Sequence, residues 1–168
     1  MKYILFTLSV LLCLTACNNK TNEVSINDTQ FLQSKIDSLE QRLENCYSPG
    51  FGEFMSNIQA HHSKLWFAGQ NQNWELANFE VIEIKEALED IQKFQSEREE
   101  SKNIVMLNPA IDSISKAINQ KNSVQFKSSF VILTNACNNC HRATNFGFNR
   151  VIVPQTSSFS NQDFRVEN

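Results

Sequence analysis

Residues 135–144 read NACNNCHRAT. Cys137 and Cys140 are separated by two residues, and His141 follows directly. Three chemistries use such a set: covalent attachment of haem, a zinc site, or a dithiol that opens and closes. Haem attachment needs two thiols that reach the two vinyl groups of one porphyrin. It also needs an imidazole turned under the iron. Residues three apart on a helix share a side, so both sulfurs would face one porphyrin edge. Neutral imidazole is a common axial ligand. Structural zinc takes four ligands, often from two cysteine pairs. No second pair exists here, so His61 or His62 would have to complete that site. A redox CxxC usually sits beside a βαβ pattern, which this chain lacks.

The compartment helps to choose. Lys2 precedes an almost wholly apolar run over residues 4–14, too short for a comfortable membrane span and suited to a secretory signal. The run ends in Leu14-Thr15-Ala16-Cys17. This resembles the bacterial lipobox, which implies cleavage after residue 16 and a diacylglycerol on the Cys17 thiol. Residues 1–16 are then the signal peptide. The expected location is the bacterial cell envelope, outside the cytoplasm and lipid-anchored to a membrane. Of five cysteines, Cys13 leaves with the signal and Cys17 carries lipid. Cys46 is left alone, as a small apolar filler or an intermolecular disulfide. Covalent haem attachment also happens outside the cytoplasm in bacteria. One haem c is therefore expected, bound through Cys137 and Cys140, with His141 as proximal iron ligand.

These residues need a frame. Four glycines and three prolines in 168 residues favour helix. The formal charge is -3 with no large basic block, which argues against nucleic acid as a partner. Residues 17–48 form a polar tether over 18–30 and then a heptad helix, with Leu32, Ile36, Leu39, Leu43 and Cys46 on its seam. Residues 49–144 contain four amphipathic segments. Their stripes are Met55, Ile58, His62, Leu65 and Trp66; Ala77, Val81, Ile84, Leu88 and Ile91; Ile111, Ile114 and Ile118; and Phe126, Phe130, Leu133, Cys137 and Cys140. Asn73 reads as a helix N-cap, and Asn108-Pro109 as cap and first helical residue. Glu83, Glu86, Glu89 and Asp90 read as a solvated acidic face. Short loops make such helices antiparallel neighbours. The predicted fold is an all-α, antiparallel four-helix bundle, with an irregular tail over 145–168.

A CxxCH motif on the last helix of such a bundle resembles the class II cytochromes c, the cytochrome c-prime family. The likeness covers residues 50–144 and rests on CNNCH at 137–141 together with the helix pattern. The leading heptad helix and the tail depart from that family. The resemblance implies that Cys137 and Cys140 form thioethers and that His141 ligates iron. It also implies that a first-helix residue over the iron is a ligating Met or a blocking apolar side chain. Distal candidates are Met55, His61, His62 and Met106. Met55 lies near the start of the first helix, beside the end of the last, so it is the expected distal ligand. His62 is the alternative, seven residues or nearly two turns further along the same stripe. His61 is expected to face solvent or the flank. Trp66 and Trp74 are expected in the core or beside the porphyrin, and Phe146 and Phe148 over a haem edge.

Three functions compete. A one-electron carrier needs six-coordinate iron and a redox partner protein. A nitric oxide or carbon monoxide binder needs five-coordinate iron. A sensor or interaction subunit would use the heptad helix, including as a homodimer. No Ser-His-Asp set, HExxH motif or glycine-rich phosphate loop argues for an enzyme.

Overall fold

The computed structural model describes residues 26–46 and 49–167, and all the regular elements among them are helical. The expected signal peptide, Cys17 and the side chain of Cys46 lie outside the described residues. The chain divides into two units, residues 1–47 and 48–168. No helix among the described residues is long and apolar enough to cross a membrane.

In the first unit, α1 spans Ile26–Cys46. It begins inside the expected tether, with Asp28 in its first turn, where a carboxylate meets the positive end of the helix dipole.

The second unit holds α2 (Phe51–Gln70), α3 (Trp74–Phe94), the short α4 (Glu99–Asn103), a 3-10 turn (Ile104–Leu107), α5 (Asn108–Asn119) and α6 (Ser123–Ala143). The four expected stripes are the buried faces of α2, α3, α5 and α6. Leu65, Ile84, Ile91, Ile114, Phe126 and Phe130 are sealed from solvent. α2 packs along α3 and α5 along α6, and contacts of α3 with α5 and of α2 with α6 join the pairs. Asn73 caps α3 by accepting from the Leu76 amide, as expected. Asn122 does the same for α6, accepting from Val124 and Gln125. Asn108 does not cap α5: the 3-10 turn runs straight into that helix, so Leu107 occupies the cap position already in helical conformation. The polar residues 99–103 form α4 and lead into this turn, whose Ile104 and Leu107 are buried.

Gln72, Lys121 and Asn145 take positive φ just past α2, α5 and α6. This left-handed step ends a helix, and Asn tolerates it better than the other two. Gly69 is required for a different reason. A Cβ there would overlap the ring of Phe126, which Trp66, Trp74 and Phe130 surround. Both tryptophans thus belong to an aromatic core.

The tail lacks regular structure but is not loose. Asn138 of α6 donates to the Val151 carbonyl and accepts from the Val151 amide, both at 2.8 Å. Further on, Phe164 is buried against Phe67, and Asn73 donates to the Arg165 carbonyl. Residues 151–153 form no strand, and the Val151 backbone is held by the Asn138 side chain instead.

Candidate functional site

α6 positions the motif. Cys137 and Cys140 continue the stripe of Phe130 and Leu133, so both are buried on the inner face, as free thiols. His141 begins the next step around the helix and is half-buried at its end. Its Nδ1 donates to the Asn149 carbonyl at 2.6 Å. That bond fixes the tautomer and leaves Nε2 as the lone-pair nitrogen.

All three residues line one cavity of about 350 Å³, which also reaches Met55 and His62. This lies within the range of about 300–1,000 Å³ usual for ligand sites. Phe51, Ile58, Leu88, Ile104 and Leu107 make its apolar wall, from α2, α3 and the 3-10 turn. Phe146, Asn149 and Val151 of the tail close the side next to His141. Arg98 and Glu100 supply charge at the rim. They pair through Nη2 and Oε1 at 2.8 Å, and the Arg98 guanidinium lies 5.1 Å from the centroid of the Phe51 ring. The pair holds the Glu100 carboxyl below its ordinary pKa, through the hydrogen bond from Arg98.

Burial pushes the Cys137 thiol up to about 12, with neighbouring Cys140 adding to the rise. Burial also raises Cys140. Redox dithiols need a stabilised thiolate, and this site does the opposite. Among the described residues, no group of three or more His, Cys, Asp or Glu is arranged to hold a metal ion. The donor set fits haem instead: two inward thiols three residues apart, an oriented imidazole beside them, and an apolar slot.

The distal candidates separate. Met55 lines the cavity, is partly exposed, and offers an uncommitted thioether. His62 lines it too but is buried, with its ring 4.5 Å from that of Phe130. The Thr134 hydroxyl donates to the Phe130 carbonyl and therefore accepts from His62 Nε2 at 2.9 Å. Burial lowers the His62 pKa to about 4, so the ring is neutral at neutral pH. Met106 is exposed and does not line the cavity.

His61 departs from expectation. It is buried rather than solvent-facing, because Glu80 of α3 meets it: Nδ1 lies 2.6 Å from Glu80 Oε2. Glu83 stands 3.8 Å from Nε2. Glu80 is fully buried, one turn before the acidic face, and its Oε1 has no partner. Phe146 lines the cavity, whereas Phe148 is exposed and meets the Phe146 ring at a tilt. The tail residues Asn149 and Val151 and the rim pair Arg98–Glu100 had no signal in the sequence. Among the expected site residues, the fold brings together Cys137, Cys140, His141, Met55 and His62. No protein-family model, curated protein or solved structure matches this chain.

Proposed function

We propose that this chain is a c-type haem protein of the class II kind. Its second unit would be a four-helix bundle that carries one haem on the last helix. Thioethers would form at Cys137 and Cys140, and His141 would be the proximal ligand. The observation that carries the reading is the shared cavity, which joins the CNNCH motif to Met55 and His62 across the fold. The bound haem would supply an iron that changes oxidation state by one electron. The chain's own residues then do the rest. Asn149 holds the His141 ring by its Nδ1 proton. Met55 would offer its sulfur to the iron. Phe51, Ile58, Leu88, Ile104 and Leu107 keep water out. Among the described residues, Arg98 is the one arginine or lysine lining the cavity, and it suits the carboxylates of a porphyrin.

A one-electron carrier is the function this arrangement supports best, because a thioether ligand favours a high reduction potential. The carrier would be anchored outside the cytoplasm by lipid on Cys17 and would serve a redox partner protein. Cytochrome maturation machinery and acid-acetone extraction test the central claim. Haem that resists extraction from the parent chain, and is lost in Cys137→Ser/Cys140→Ser, is expected. Extractable haem, or none, overturns the reading. Low-spin spectra with a sulfur-to-iron band that Met55→Ala removes support the carrier. A high-spin spectrum that shifts with carbon monoxide replaces it with a gas binder.

A further inference from the structure

We propose that α1 forms a parallel, in-register two-stranded coiled coil with a second copy of this chain. The inference stands apart from the haem reading, since it uses only the first unit. Leu32, Ile36, Leu39 and Leu43 lie on one seam and are 47–69% exposed. A single helix of 21 residues is marginal in water, and an apolar stripe on it needs cover. In heptad lettering Thr29, Ile36 and Leu43 take a, and Leu32, Leu39 and Cys46 take d. A β-branched residue at a between leucines at d favours two parallel strands.

Charge placement specifies the occupant. Lys35 falls at g and Glu40 at the following e, five residues later. These positions flank the seam on opposite sides, so the two cannot pair along one helix. The single chain instead leaves Lys35 Nζ 5.5 Å from the centroid of the Phe31 ring. In a parallel, in-register dimer the g residue of one strand meets the next e of the other. Lys35 then meets Glu40 of the second copy, twice by symmetry. A lipid surface is the poorer occupant: α1 carries Asp28, Asp37, Glu40 and Glu44 against Lys35 and Arg42, a net negative helix that anionic headgroups repel.

Sedimentation equilibrium of the full chain in density-matched detergent tests this, with far-UV circular dichroism to confirm an intact fold. A monomer–dimer equilibrium is expected, abolished by Ile36→Lys. Glu40→Lys replaces two attractions by two repulsions and should weaken the dimer about tenfold. Lys35→Glu/Glu40→Lys restores the pairing in reverse and should bring affinity back near the parent value. A monomer at every concentration overturns the proposal. So does a dimer indifferent to Glu40→Lys, which would use another surface. So does a monomer that binds vesicles of phosphatidylglycerol and phosphatidylcholine through Ile36.

Discussion

His62→Leu should make the haem-free protein more tolerant of acid. The unfolded chain protonates this histidine near its ordinary pKa of 6.5, whereas burial holds the folded value at about 4. Between those values the unfolded state binds more protons. Stability is therefore complete above 6.5 and falls as the pH drops towards 4. At about 1.36 kcal/mol per pH unit, the interval is worth about 3 kcal/mol. Leu removes that liability at small cost. The Thr134 hydroxyl keeps its bond to the Phe130 carbonyl, so no buried donor is stranded. At pH 7 the variant should lie within about 1 kcal/mol of the parent, the worth of one neutral hydrogen bond. Urea unfolding of both proteins at pH 7, 6, 5 and 4 measures the difference, and carboxylates common to both cancel. The parent should lose about 3 kcal/mol more than the variant across that range. A flat difference would refute the reasoning, because the ring would then take its proton while folded and could not be sealed behind Thr134 and Phe130.

Other parts of the second unit give equally direct tests. Gly69→Ala forces a methyl into the Phe126 ring, and overpacking of this kind should cost about 1–3 kcal/mol in thermal or urea unfolding. Phe126→Leu in the same chain should recover part of that loss, because it vacates the colliding ring. His61→Leu leaves buried Glu80 without its hydrogen-bond partner and should destabilise by about 1–3 kcal/mol, whereas His61→Leu/Glu80→Leu should return near the parent value in urea unfolding. Asn138→Ala removes both bonds to Val151 and should speed amide hydrogen exchange over residues 145–153, with a stability loss of about 1–2 kcal/mol.

How much of this was legible follows from what periodicity can carry. Cys137 and Cys140 were readable as inward-facing because they continue the steps of Phe126, Phe130 and Leu133, and a helical stripe predicts a face without knowing its partner. Met55 and His62 were readable for the same reason on α2. His61 was misread because the residue that buries it lies on another helix. Glu80 lies just before a run of exposed acids and carries no local mark of its burial. A buried carboxylate looks like any surface glutamate until its partner is in place.

The two spacer residues of the motif make the same point at the site itself. The CxxC pattern fixes where the thiols fall and treats what lies between them as neutral. Here Asn138 is buried and clamps Val151, thirteen residues later, by both polar atoms of its amide. That clamp brings the tail alongside His141, where the Asn149 carbonyl accepts a hydrogen bond from the imidazole Nδ1. An irregular segment has no period to announce such contacts. Its side chains range from exposed to half-buried and, at Phe164, buried, without a period, and its backbone groups find partners one at a time. The side of the site next to His141 is thus built by a spacer asparagine and a stretch of tail, joined through hydrogen bonds that only the fold brings within reach. On this view Asn138→Ala acts on His141 as well as on the tail: in the haem-loaded protein it should shift the reduction potential, while a role confined to packing the tail would leave the potential unchanged.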